Sequence, residues 1–253
     1  MKYFIFFSLF FYLTGSLNAQ INTERFRISQ YHLGFGGETG VGITVRTGNT
    51  DLQLISGKGR VNYNGGTFYT FLVIGGDFGW KGGEQFSNES LMHFRYVPSL
   101  SHITQLELFG QIDYNKARKL SFRKLAGSGL RLKTYRDSTI RFNVGAGFMI
   151  ENEIYYLPPG SIHPSNETFV RSTNYITTEI ALSENADFYS TIYYQPAVNN
   201  LSDYKILSEN SVSAKISEHL DMEILFTLRH DNKPPDDTKK LDINSSFGFK
   251  YRF

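Results

Sequence analysis

The sequence predicts an all-β chain folded as a transmembrane antiparallel up-and-down barrel of about 12 strands, and three observations carry that expectation. The last residues, 241–253 (LDINSSFGFKYRF), place an apolar or aromatic side chain at every odd position except Ser245. Every even position holds a polar, charged or glycine residue. A strand throws successive side chains to opposite faces, so this segment is one strand with an apolar face and a wet face. The same alternation recurs along the chain in segments longer than the roughly five or six residues usual in soluble sheets. A tilted membrane-crossing strand needs about nine to eleven. The third observation is an N-terminus suited to export.

Residues 1–19 read as a signal peptide: Lys2, an apolar run over 3–13, then small and turn-prone residues ending at Ala19, after which cleavage is expected. The apolar run is too short for a spanning helix, which needs about twenty residues. The chain has no cysteine, which excludes a lipoprotein anchor and disulfides. Residues 20–32 lack clean alternation and read as a periplasmic lead-in. No Pro/Ser-rich linker or charge block divides 33–253, which is expected to be one barrel domain. A net charge of +2 implies no polyanionic partner, and no nucleic acid. The 22 Phe and 16 Tyr suit aromatic girdles at two membrane interfaces.

In chain order, the first strand starts at Leu33, with Leu33, Phe35, Val41, Ile43 and Val45 facing one way and Gly34, Gly36, Glu38, Gly40, Gly42, Thr44 and Arg46 the other. Residues 47–50 (TGNT) make a tight turn, because Gly48 and Asn49 tolerate positive φ. The second strand, about 51–63, alternates poorly. Leu52 and Leu54 are out of phase with Ile55, Val61 and Tyr63, which suggests a bulge. The third, after Asn64-Gly65-Gly66, carries Phe68, Leu72, Ile74, Phe78 and Trp80 in phase. The fourth follows Lys81-Gly82-Gly83 and sets Met92, Phe94 and Tyr96 opposite Glu89, His93 and Arg95.

The fifth sets Leu106, Leu108, Ile112 and Tyr114 against Gln105, Glu107, Gln111 and Asp113. The sixth sets Phe122, Ala126, Leu130 and Leu132 against Arg123, Gly127, Gly129, Arg131 and Lys133. The seventh is the cleanest, with Ile140, Phe142, Val144, Ala146, Phe148, Ile150 and Ile154 outside and Arg141, Asn143, Gly145, Gly147, Glu151 and Glu153 inside. The eighth runs over about 168–182, and the ninth over about 187–197, where Pro196 is expected to end it. The tenth, near 204–216, places Glu209, Ser211, Ser213 and Lys215 inside. The eleventh sets Leu220, Met222, Ile224, Phe226 and Leu228 against Asp221, Glu223, Thr227 and Arg229, and the twelfth ends the chain.

Barrels of the outer membrane have short periplasmic turns and longer external loops. If Leu33 enters from the periplasm, every even connection is short, and the two longest, around Pro158 and Pro234, are both external. An exported soluble sandwich would share the period of two. The mixture of Gly, Arg and Glu in the polar phase suits a confined lumen better than a solvated face.

Several motifs resemble a bacterial family. Gly40-Val-Gly42, the Thr47 to Thr50 turn, Gly127-Ser-Gly129-Leu130 and the His93-Phe-Arg95-Tyr96 strand are similar to the salt-induced outer-membrane proteins, catalogued as a domain of unknown function. The resemblance implies an outer-membrane barrel with no assigned reaction. The ending Phe247-x-Phe249-x-Tyr251-x-Phe253 resembles the C-terminal signal read by the barrel-assembly machinery.

Chemistry is sparse. His230 sits at the external end of the eleventh strand, in phase with Phe226 and Leu228. It is the best-placed base for an outer-membrane lipid-modifying enzyme, with no Ser in reach on its own strand. His93 falls in the polar phase and reads as a lumen hydrogen-bonding partner. His163 beside Glu167 is the one weak metal candidate, and no His pair has metal-ligand spacing. No phosphate loop or dinucleotide fingerprint occurs, and no cofactor is expected.

What remains is a charged lumen: Arg46, Glu107, Arg123, Arg131, Arg141, Glu151 and Arg229, with Glu38, Arg95, Asp113, Glu153, Asp221, Glu223 and Arg252. Eight strands give a filled interior and sixteen to eighteen an open channel, so twelve leaves both an occluded structural or stress-responsive barrel and a narrow channel for small polar solutes open. The expected partners are outer-membrane lipid and, during biogenesis, the assembly machinery. The expected state is a monomer without enzymatic activity.

Overall fold

Twelve strands close into one antiparallel barrel in the computed structural model, which describes residues 33–46 and 51–253, without the side chains of Thr44 and Arg46. They are β1 Gly34–Arg46, β2 Leu52–Asn64, β3 Phe68–Lys81, β4 Glu84–Pro98, β5 Thr104–Asn115, β6 Leu120–Arg136, β7 Ile140–Tyr155, β8 Asn166–Ser183, β9 Ala186–Ala197, β10 Asn200–Lys215, β11 Leu220–Asp231 and β12 Leu241–Arg252. Each pairs with its sequence neighbours, and β12 returns to β1. The expected signal peptide, the lead-in at 20–32 and the first turn at 47–50 lie outside the described residues.

Turn chemistry explains why the strands reverse where they do. The two-residue connection from β3 to β4 places Gly82 and Gly83 both at positive φ, +57° and +85°, the geometry of the hairpin turn whose twist matches its strands. Before β7, the Asp137 carboxylate accepts from the backbone N–H groups of Thr139 and Ile140, at 2.7 and 2.6 Å. The Tyr135 hydroxyl donates to it as well, and these three donors hold that carboxyl below the usual carboxylate range. The connections at the end holding Phe253 are all short, and the two longest, 156–165 and 232–240, lie at the other end. This matches the sidedness expected from loop length, and the two ends are called periplasmic and external accordingly.

The outward phase is apolar and exposed, as lipid requires, with Val41, Ile74, Phe148, Ile150, Ile224 and Phe247 among its members. Aromatic rings ring the periplasmic end, where Phe35, Tyr63, Phe68 and Tyr96 follow one another at centroid spacings of 4.8, 5.8 and 5.5 Å. At the external end Tyr194, Tyr204 and His230 do the same, at 5.8 and 5.6 Å. These are the two girdles of a membrane barrel.

The inward phase is packed. Several lumen glycines are holes for rings: a Cβ on Gly145 would sit 2.1 Å from Tyr175 Cε1, and one on Gly127 would sit 2.4 Å from Phe109 Cζ. Tyr69, Phe71, Val73 and Val97 form one buried cluster, and Tyr175, Tyr193 and Leu207 another.

One expectation needs correction. β2 carries no bulge: its register with β1 and β3 runs unbroken from Leu52 to Asn64. Leu52 and Leu54 instead face the lumen at its external mouth while Gln53 faces out, since at that height the outward position borders the interface rather than hydrocarbon. Irregularities fall elsewhere, at Gly79/Trp80 and in the pairings of β6, β8 and β9. The ninth strand ends at Ala197, one residue past Pro196, as expected; Pro196 pairs with Tyr204, and β10 begins four residues before Tyr204, at Asn200, through a shift in register.

β1 and β12 register over only Glu38↔Arg252 and Thr39↔Tyr251, with Gly37 and Phe253 exchanging two backbone hydrogen bonds of 3.0 and 3.1 Å. The Phe253 ring lies over Gly37, 2.5 Å from where a Cβ would stand, so only glycine permits that closure.

Candidate functional site: the charged lumen and its external cap

Alternation along β5, β6, β7, β8 and β10 aims a charged residue from each strand at one level of the external half. Glu151 of β7 accepts from the Arg171 Nε and from Lys205 Nζ, the latter at 3.0 Å, with Arg123 Nη1 3.9 Å away. Glu153, two residues on and therefore on the same face, accepts from Lys205 Nζ at 2.7 Å. Arg123 Nε donates to Asp113 at 3.0 Å, and Arg171 Nη1 donates to Asp203 at 2.8 Å. The side chains of Arg123, Glu151, Glu153, Arg171 and Lys205 are each 5% exposed or less. Charges so removed from water persist only when paired, and here Glu151 and Glu153 are each shared among cations while Asp113 and Asp203 each hold one.

A second group lies on the periplasmic half of β4 and β5. Glu107 accepts from Arg95 Nη1 at 3.2 Å and from the Tyr175 hydroxyl at 2.9 Å. Arg95 stacks 5.0 Å above the Phe109 ring. His93 lies between Phe71 and Phe109, with Nδ1 3.0 Å from Gln111 Oε1, which is the hydrogen-bonding role expected of it. A third level, toward the periplasm, pairs Arg141 with Glu179, Lys250 with Glu223 and Arg252 with Asp221, at 2.9, 2.8 and 2.6 Å. Arg131 and Arg229 are buried in the lumen wall at 1% exposure. The Arg46 side chain lies outside the described residues. Toward β12 the filling loosens, with Asn244 half-buried and Ser246 exposed.

Above the first level sits a cap built from the two long external loops. The Asp236 carboxylate accepts from the backbone N–H groups of Ile162 and His163, at 2.6 and 3.0 Å, tying loop 232–240 to loop 156–165. A single 3-10 turn, Lys116–Arg118, is started by the Asn115 side chain, which accepts from Arg118 N. It ends on Lys119 at φ +58°. That turn delivers Lys119 Nζ to the Asp236 carbonyl at 2.7 Å and Arg118 to Asp231 at 3.4 Å. Pro235 then closes over Arg123, Glu153 and Lys205, leaving a void of about 10 Å³, room for about one water. The periplasmic end differs: a cavity of about 410 Å³ opens there among Glu38, Arg60, Asp221, Lys250 and Arg252.

The sequence alone singled out neither Arg171, Asp203 and Lys205 nor the Asp236 latch. Arg171 was readable from the phase of its strand, whereas Asp203 fell in an expected turn.

His230 faces outward, stacked on Tyr204. Its sheet neighbours are Ile206 and Leu241, so no serine hydroxyl stands beside it across either ladder. His163 Nε2 meets Glu167 at 3.3 Å, and no group of three metal-capable residues occurs among the described residues. Phe247, Phe249, Tyr251 and Phe253 all face outward and are about half exposed or more.

The family model described as "Protein of unknown function, DUF481" matches residues 39–253. No curated protein matches the sequence. Among solved structures, the NanC porin superposes with a TM-score of 0.53 at 8% identity, covering 85% of this chain and 98% of that one. The translocator domain of autotransporter NalP from Neisseria meningitidis gives 0.45 at 10% identity, covering 87% of each chain. The KdgM porin gives 0.43 at 8%, covering 87% and 99%. The fold is that of outer-membrane β-barrels.

Proposed function

The chain belongs to the family of unknown function DUF481, and from that premise we propose that it is an occluded structural barrel of the bacterial outer membrane, exported by a cleaved signal peptide, with no catalytic role. The observation that carries this reading is the burial of the lumen charges. In a conducting pore the wall charges are wetted, whereas Glu151, Arg123, Arg171 and Arg229 are at most 2% exposed. Girdles and outward aliphatic residues support residence among lipid, and the outward Phe247, Phe249, Tyr251 and Phe253 support recognition by the barrel-assembly machinery. Membership of the salt-induced outer-membrane proteins fits the motifs named above and implies a role in envelope stress.

A narrow channel is the competing reading, favoured by the periplasmic cavity and the looser packing beside β12. Swelling of proteoliposomes in isosmotic glycine or arabinose separates the two. The occluded barrel gives no swelling above that of empty liposomes. Solute-dependent swelling would establish the channel.

A further inference from the structure

β1 pairs with β2 from Gly34 to Arg46, and β12 pairs with β11 from Leu241 to Tyr251. Their other two edges meet only at the periplasmic end. There Gly37 and Phe253 exchange backbone hydrogen bonds, Thr39 registers with Tyr251, and Arg252, opposite Glu38, donates to Asp221 at 2.6 Å. Beyond Thr39, toward the exterior, no ladder joins the two strands among the described residues. Their outer faces there are apolar, with Val41, Ile43, Phe247 and Phe249 each more than half exposed. Hydrocarbon offers no partner to a free backbone N–H or C=O, so strand edges parted at this depth need water from the lumen. The lumen behind them has room for it. A Cβ on Gly248 would meet nothing within 4 Å, and Ser246, on the same inner face, is exposed.

Continuing the register of Glu38↔Arg252 and Thr39↔Tyr251 sets Val41 opposite Phe249 and Ile43 opposite Phe247 outside, with Gly42 opposite Gly248 inside. The apolar faces stay in phase, so the ladder can close without the one-residue slip that would turn every side chain over. Gly40, Gly42 and Gly248 put no side chain on the inner face, so nothing interlocks there to hold the strands together. The wall of β6, β7 and β8 is the contrast, since Arg123, Glu151 and Arg171 tie its inner face with ion pairs. We propose that the seam is a lateral gate. β1 and β12 zip and unzip beyond Thr39, about the pin made by Gly37, Arg252 and Phe253, and the open state joins the lumen sideways to the membrane. Strand edges are satisfied by each other in the closed state and by lumen water in the open one, so neither state strands them in lipid. The gate is independent of whether the lumen conducts along its axis.

The absence of cysteine makes the test direct. Three double variants set a thiol pair across the seam at successive heights: Thr39→Cys with Tyr251→Cys, Val41→Cys with Phe249→Cys, and Ile43→Cys with Phe247→Cys. All these positions are exposed on the outer face, and pairs two residues apart share one hydrogen-bonding type, so their geometries match when the ladder is closed. The folded protein in liposomes is oxidised with copper phenanthroline. The disulfide is then scored by the faster migration of the heat-unfolded chain, in which it closes a long loop. The gate is expected to give the disulfide at all three heights, at rates that fall with distance from the pin. A pair closed one-tenth of the time cross-links about tenfold more slowly than a permanent one. Heat-modifiable mobility checks folding, and the Val41 and Phe249 pair carries the comparison if the outermost pair fails to insert. Equal rates at every height would show a permanent ladder, and no disulfide beyond Thr39 and Tyr251 a permanent gap. Either result overturns the gate.

Discussion

Glu151 compensates three cations, Arg171, Lys205 and Arg123, that enter the lumen from three different strands. Removing it strands those charges away from water, and breaking a buried pair in this way costs about 3–5 kcal/mol. Glu151→Ala is therefore expected to lower the denaturant midpoint of the detergent-folded barrel, whereas exposed Glu184→Ala leaves it unchanged. At Gly145, Leu would collide with the Tyr175 ring and break the Tyr175–Glu107 hydrogen bond. Such overpacking costs about 1–3 kcal/mol, readable in the same unfolding curves. The inward facing of Arg123, Glu151 and Glu107 was legible from the period of two. Their partners were not, because alternation gives the face of a residue while the stagger between strands decides its height in the lumen.

Individual strands were legible wherever one face meets hydrocarbon, and least so at their external ends. β7 follows its expected pattern throughout, while Leu52 and Leu54 suggested a bulge that an unbroken ladder excludes. Facing can be tested directly. Ile224 is 52% exposed on the outer wall of β11, and Asn244 points inward from β12 where the lumen is loosest. Ile224→Arg places a charge in lipid at about 2–4 kcal/mol and is expected to impair membrane insertion, scored as the folded fraction. Asn244→Arg is expected to insert normally, and equal behaviour would contradict the assigned faces.

The cap was illegible because its main contact joins residues 73 apart in sequence. The backbone N–H of His163 above all, and that of Ile162, hold the Asp236 carboxyl below the usual carboxylate range. A depressed folded-state value means that the stabilisation is present above the ordinary carboxylate pKa of about 4 and is lost as pH falls through the lower, folded one. The cap is thus expected to protect Lys239 and Lys240 from surface-applied trypsin unchanged from pH 8 to pH 6. Asp236→Ala is expected to speed that cleavage at both values.

At the scale of the whole molecule, strand number, single-domain organisation over the described residues and sidedness follow from alternation, turn chemistry and the parity of long loops. Alternation could not say what fills twelve strands, since the same period suits a wet channel and a packed interior. The answer comes from side-chain volume: Tyr175 and Phe109 fill spaces left by glycines, tiers of ion pairs fill the external half, and the external loops close the top, while the periplasmic end keeps a cavity. Closure itself is asymmetric. The β1–β12 seam is registered only near the periplasm, beside the cavity, so any leak through the barrel would run along that side.

Planar-bilayer recording on the refolded protein addresses the closed lumen most directly. The expected trace is flat at 100 mV, and discrete steps appear only when the cap and Glu151 are altered together. Regular unitary steps from the unaltered protein, with an ion preference that shifts on replacing Arg123 or Glu151, would contradict the occluded barrel and make those residues the selectivity filter of a pore.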